Sequence, residues 1–289
     1  MGILFCRSHR QSSAAANSSP QEDGLMSAFE TETAIEPTGD GSWRARLTDA
    51  WNIGNNSNGG YALTPVLRAL RELTGQPDPL SVTTHFLRPA HGSLDARIDA
   101  TLIRKGRTIS TARGTLSQEG KERLVVIAAF GDVQQQVGLG PELSPQPPDL
   151  PPIERCIGRS AHEQGVDLPL LSRADVFLHP NHLVTGDRGG TQLEGWIRFA
   201  DGSSPSTLSL PFFADAFPPA LFSVVGTIGW VPTVELTVQI RRAPATGWLR
   251  GRFECDDLHN GRMIETGALW DAQGALVARC RQLGLVIGK

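Results

Sequence analysis

The sequence predicts an α+β protein in which one unit, a helix packed on an antiparallel sheet, occurs twice in tandem. Two observations lead there. Helix-like and strand-like apolar periodicities follow one another in an order that starts again after a proline-rich break. The residues align as well: PLSVTTHFLRPA from Pro79 sits on PTVELTVQIRRA from Pro232, and the turn KGR at 105–107 sits on NGR at 260–262. Repeats of this length, each carrying its own helix and sheet, argue for a duplicated fold rather than a solenoid.

In the first copy, strands are expected at 29–35 and 43–47, separated by the turn Gly39-Asp40-Gly41, with period-two alternation after Trp43. A loop crowded with Asn and Gly then leads into residues 61–73, where Leu63, Val66, Leu67, Leu70 and Leu73 have helical spacing. Long strands are expected at 80–87, 94–104 and 108–118, and, after a short turn, at 124–130. Residues 132–168 carry Pro141, Pro145, Pro147, Pro148, Pro151 and Pro152 and a QQQ run, which read as a linker without helix or strand of its own. The second copy then offers strands at 174–184 and 191–199, a helix beginning near Asp215, and strands at 233–241, 247–255, 262–270 and 276–285. This organisation places a disordered tail at 1–26, a first unit at 27–131, the linker at 132–168 and a second unit at 169–289.

The 289 residues are 39% hydrophobic with a net charge of -3, the balance of an ordinary globular protein and not that of a nucleic-acid binder. No apolar run approaches the roughly 20 residues needed to cross a bilayer. The N-terminal tail has only residues 3–6 as an apolar core, too short for a signal peptide, and Met26 is a plausible alternative start. Cys6, Cys156, Cys255 and Cys280 are scattered without metal spacing, so reduced thiols in a cytoplasm are expected, with no metal and no cofactor.

Residues 208–242 hold the main chemical signal. Asp215 lies among Phe212, Phe213, Ala214, Ala216 and Phe217, and a carboxylate in such surroundings is either paired or working. The duplication supplies an internal comparison. Matching Tyr61 with Phe217 sets Gly59 against Asp215, matching the two prolines sets Leu80 against Thr233, and matching Leu124 with Leu276 sets Phe130 against Gln282. At each place the first copy is apolar or glycine and the second is polar, the pattern of one site built in one copy only.

The layout resembles the acyl-CoA thioesterase II family over residues 29–287. The carrying motifs are GGY at 59–61, FLRPA with the following RKGRTIS from Phe86 to Ser110, ADAF around Asp215, and RCRQLG around Gln282. Tyr61 departs from the polar residue that often follows the glycine pair in that family. The resemblance implies a double hotdog, two fused units each with a long helix wrapped by an antiparallel sheet. It implies hydrolysis of fatty acyl-CoA to fatty acid and coenzyme A, with Asp215, Thr233 and Gln282 orienting the water, and a homo-oligomer. Asp215 then serves as base, Thr233 and Gln282 position the water, and the backbone N–H groups at Gly59 and Gly60 are candidates for the oxyanion. Gly59, Gly60 and Tyr61 are expected to touch substrate, as are Arg104 and Arg107, which with Lys105 form a basic cluster able to bind the coenzyme A phosphates.

Ordinary roles stand beside these. Asp215 could cap its helix, Thr233 could be a β-former, Gln282 could lie on an exposed face, the basic residues could be a solvated hairpin, and His85 could be a packed or surface imidazole. Other chemistries lack their residues: there is no GxSxG elbow, the zinc motif begun by His162-Glu163 fails at Val166, and Gly138-Leu139-Gly140 runs into Pro141. A non-catalytic acyl-CoA binder of the same fold is the alternative. An enoyl-CoA hydratase-like hotdog is a further one, and it would need His179 or His182 brought to Asp215.

Overall fold

A computed structural model describes residues 26–138, 140, 142–182, 190–226 and 230–287, so the expected tail lies outside it apart from Met26. The first element corrects the sequence reading. Residues 29–35 alternate like a strand, yet Ala28–Glu32 forms a helix, α1, because Ser27 caps it by accepting the Glu30 N–H at 3.1 Å. The Ser-x-x-Glu spacing of a capping box was present in the sequence and outweighs the alternation. Phe29 is then buried against Trp51, Phe199 and Phe212.

Two short strands follow, β1 (Glu36–Pro37) and β2 (Trp43–Arg46), then the small ribbon β3 (Asn52–Ile53) and β4 (Asn56–Ser57). The helix α2 (Gly59–Thr74) ends on Gly75 at φ 66°, in the left-handed region that glycine adopts freely. Next come β5 (Asp78–Phe86), β6 (Asp95–Arg104), β7 (Ser110–Gln118) and β8 (Lys121–Gly131). The linker does carry elements, β9 (Ile157–Gly158) and α3 (Ala161–Gln164). The second unit has β10 (Ala174–Leu178), β11 (Gln192–Phe199), α4 (Leu210–Asp215), α5 (Phe222–Val225), β12 (Thr233–Ile240), β13 (Leu249–His259), β14 (Arg262–Trp270) and β15 (Leu276–Leu285).

Thirteen of these strands form one sheet in the order β1-β2-β6-β7-β8-β5-β12-β15-β14-β13-β11-β10-β9, so the two units join through β5 and β12. Along that seam Val82 faces Val238 and Thr83 faces Thr237, whose hydroxyls lie 3.1 Å apart. Each seam strand carries one bulge, at Leu80 and at Val234. The bulges fix how the copies superpose: Pro79 falls on Thr233, and the row Val82–Ala128–Ala112 falls on Leu236–Gln282–Glu265. The sequence alignment was therefore shifted by one residue at Thr233 and by two at Gln282. The contrast it showed survives, since the first copy has proline and alanine where the second has Thr233 and Gln282.

Both helical segments lie on the inner face, α2 against β5 to β8 and α4 against α2, β12, β14 and β15. Among the described residues the second copy has no long helix. Pro218 and Pro219 follow α4 directly, remove two N–H donors and bias Phe217 away from helical backbone, so the helix ends at Asp215 and only the short α5 resumes. The linker lies along the outer face of the second unit, where Trp270 Nε1 donates to the Pro145 carbonyl at 2.9 Å and Trp196 Nε1 to that of Pro151 at 3.1 Å. Arg250 and Arg252 stack over Trp196 and Trp270 on the same side.

Candidate active site

Where α2 begins against the end of α4, a cavity of about 270 Å³ opens between helices and sheet. Phe86, Leu87, Leu124, Phe217, Trp230 and Val231 give it apolar walls. Asn58, Arg159, Asp215, Thr233 and Gln282 also line it. Asp215, expected at the start of a helix, sits instead at the last position of α4 and does not cap it. Its carboxylate is aimed at the start of the other unit's helix, where Oδ2 accepts the Gly60 N–H at 3.0 Å and Asn58 Nδ2 at 2.8 Å.

Asn58 has two tasks. Its Oδ1 caps α2 by accepting the Tyr61 N–H at 2.9 Å, which leaves Nδ2 for Asp215. The glycines are required by proximity: a Cβ on Gly60 would meet the Pro211 carbonyl oxygen at 2.4 Å, and one on Gly59 would meet the Phe86 ring at 2.8 Å. Burial pushes the Asp215 carboxyl up to about 6, against the opposing pull of the Gly60 and Gly59 N–H groups, Arg159 and Asn58. An acid held there is ionised at neutral pH and can still accept a proton.

Thr233 reaches the cavity because of the Val234 bulge. Leu236, Val238 and Ile240 point inward along β12, so an unbroken strand would turn Thr233 outward; the extra residue returns it to the inner face opposite Gly284. Its Oγ1 donates to Gln282 Oε1 at 2.9 Å, and Gln282 Nε2 donates to Glu265 Oε1 at 2.6 Å. The other oxygen of Glu265 accepts the Ala220 N–H at 2.7 Å. Burial raises the Glu265 carboxyl to about 7, with the charge of Asp215 adding to the rise.

Arg159 completes the wall. Its guanidinium is buried, donating to Gln164 Oε1 from Nε at 2.8 Å and also to the Ala216 carbonyl, and burial lowers it to about 9 although Asp215 pulls it up. Among the described residues no group of His, Cys, Asp and Glu is arranged to hold a metal ion. No helix among them is long and apolar enough to cross a membrane.

Two family models match the chain: the acyl-CoA thioesterase N-terminal domain over residues 47–131 and the acyl-CoA thioesterase C-terminal domain over residues 147–286. The chain belongs to the acyl-CoA thioesterase family. As a thioesterase it is a thioester hydrolase, and its fold is the double hotdog. A Thermobifida fusca YX protein assigned to thioesterase II is 30% identical with a TM-score of 0.81, covering 91% of this chain and 98% of its own. A hot dog protein of unknown function from Alicyclobacillus acidocaldarius is 21% identical with a TM-score of 0.77, covering 92% and 100%. The acyl-CoA thioesterase II TesB2 of Mycobacterium marinum is 19% identical with a TM-score of 0.67, covering 91% and 99%.

Of the residues singled out in the sequence, Asp215, Thr233, Gln282 and Gly59 line the thioesterase's cavity, whereas Gly60, Tyr61, Arg104 and Arg107 do not. The Gly60 N–H, expected to face an oxyanion, is taken by Asp215. Tyr61 is a core residue, stacked on Trp51 at 5.0 Å with its hydroxyl donating to the Glu32 carbonyl. Arg104 and Arg107 are exposed in the hairpin beyond the far end of α2, where Gln76 Nε2 donates to the Arg107 carbonyl. With sixteen residues, α2 spans about 24 Å, so that hairpin is remote from the cavity. Sequence reasoning missed Asn58, Arg159 and Glu265. Asn58 had a signal, an Asn just before a helical pattern, whereas Arg159 lies in the linker and Glu265 looks like one polar residue in a strand.

Proposed function

We propose that the protein hydrolyses fatty acyl-CoA to free fatty acid and coenzyme A, with a water held between Asp215 and Thr233. The polarity of the hydrogen bonds carries this reading. Thr233 spends its proton on Gln282, so toward the cavity its hydroxyl can only accept. Asp215 also accepts only. A water between them gives both its protons to the protein and turns a lone pair outward.

That lone pair attacks the thioester carbonyl carbon as Asp215 takes the proton; the C–O bond forms, the C–S bond then breaks, and the thiolate leaves. Negative charge develops on the carbonyl oxygen. Since the Gly60 and Gly59 N–H groups are engaged by Asp215, this charge is met by Arg159, the buried cation of the two, Arg88 and Arg159, that line the cavity. The apolar walls formed by Phe86, Leu124 and Phe217 suit an acyl chain, with Leu87 and the exposed Trp230 at the rim. The hydratase alternative is disfavoured, because neither His179 nor His182 lines the cavity. We read the protein as cytoplasmic, in keeping with the free thiols of Cys156, Cys255 and Cys280.

The test is thiol release from short to long acyl-CoAs by wild type and D215N. Hydrolysis by wild type with a loss of about 100-fold in kcat for folded D215N is expected, the scale of a general base. Binding of acyl-CoA without thiol release by wild type would establish the non-catalytic binder instead.

A further inference from the structure

The buried carboxylate of Glu265 has no place in the mechanism above, and the first copy of the fold has Ala112 at the equivalent position. It is 3% exposed, and among the described residues it accepts from a backbone N–H and an amide, neither of them a cation. Enclosing a carboxylate in this way costs stability, so packing alone does not account for it.

We propose that Glu265 is a positioning residue that locks the Gln282 side-chain amide in one of its two orientations and thereby sets the proton direction of Thr233. An amide can be turned by 180° with little change of shape, exchanging donor and acceptor. Above about pH 7, where Glu265 is ionised, the carboxylate 2.6 Å away accepts only, so it selects the orientation with Nε2 toward Glu265 and Oε1 toward Thr233. Thr233 must then donate to Gln282 and accept from the cavity. The chain from the Ala220 N–H through Glu265, Gln282 and Thr233 thus prescribes how the water is oriented. This inference rests on the hydrolase reading.

E265Q tests it. The new amide keeps an oxygen for the Ala220 N–H and turns its NH2 to Gln282, which must flip; Thr233 then accepts from Gln282 and donates to the water. The expected result is a kcat about 10- to 100-fold below wild type with KM within about twofold, the scale of lost positioning. The exchanged pair E265Q/Q282E restores an acceptor facing Thr233 and should recover at least about tenfold of that loss, a rescue that a purely structural role for Glu265 does not produce. If E265Q does not fold, the exchanged pair carries the test alone: a kcat above about a tenth of wild type supports the proposal and a lower one overturns it. E265Q with wild-type kcat, or no recovery in the pair, overturns this proposal while leaving the hydrolase reading intact. Wild type that releases no thiol overturns the hydrolase reading first, and this inference with it.

Discussion

The Thr233 hydroxyl donates to the side-chain oxygen of Gln282 at 2.9 Å across 49 residues of sequence, which leaves Thr233 an acceptor toward the cavity. T233V keeps the shape and removes the acceptor, whereas T233S keeps it. Steady-state kinetics should show kcat reduced about 10- to 100-fold in T233V with KM little changed, and reduced only a few-fold in T233S. Equal losses in the two variants would show that the methyl group, not the oxygen, matters.

The pH profile follows from Asp215. Its base form is the active one and its carboxyl lies near 6, so kcat/KM should fall about tenfold per unit on the acid side of that value, and the ionisation of Glu265 adds a further, smaller rise near 7 before the profile levels. The residual activity of D215N should lack the lower step. A lower step that persists unchanged in D215N assigns the base to another group.

The same burial carries a stability cost. An acid raised in the folded state above its unfolded value binds more protons folded than unfolded between the two values, so stability falls as pH rises from about 4 to about 6 and the penalty is full above that. D215N removes it. The variant should be more stable than wild type at pH 8 by about 1–3 kcal/mol and melt at a higher temperature, with the gap closing near pH 4. Thermal denaturation at the two pH values measures the difference.

G60A should be damaging through packing. An added Cβ would lie 2.4 Å from the Pro211 carbonyl oxygen and 2.6 Å from the Phe212 Cα, both backbone atoms, so α2 and α4 must separate. A loss of about 1–3 kcal/mol is expected, together with reduced kcat as Asp215 leaves the Gly60 N–H. G75A, at a solvent-open turn, should be less costly and leave kcat alone.

Arg104 and Arg107 provide the contrast in binding. Both are exposed and lie beyond the opposite end of α2 from the cavity, so R104A/R107A should leave KM for acyl-CoA within about twofold in low-salt assays. W230A, at the cavity rim, should raise KM several-fold if the ring contacts substrate.

Several features were legible in the sequence because they depend on near neighbours. In the second unit Arg262–Trp270 and Leu276–Leu285 match their expected ranges and Gln192–Phe199 and Thr233–Ile240 fall within one residue of theirs, since alternation is local, whereas β10 stops at Leu178 short of the expected 174–184 and β13 runs Leu249–His259 in place of 247–255. The α1 segment was misread because its alternation was weighed above the Ser27–Glu30 cap. The second helix was expected to begin near Asp215, although Pro218 and Pro219 were in plain view as its stop.

By itself the sequence determined the duplicated α+β unit and the polar character of Asp215, Thr233 and Gln282, because period and repetition are properties of the chain. Only the tertiary structure decided what those residues meet. The Val234 bulge turns Thr233 inward, strand register sets Glu265 beside Gln282, and the contact of α4 with the start of α2 gives Asp215 its partners from a segment 157 residues away. Hydrogen-bond direction depends on both partners at once, and no stretch of sequence contains both.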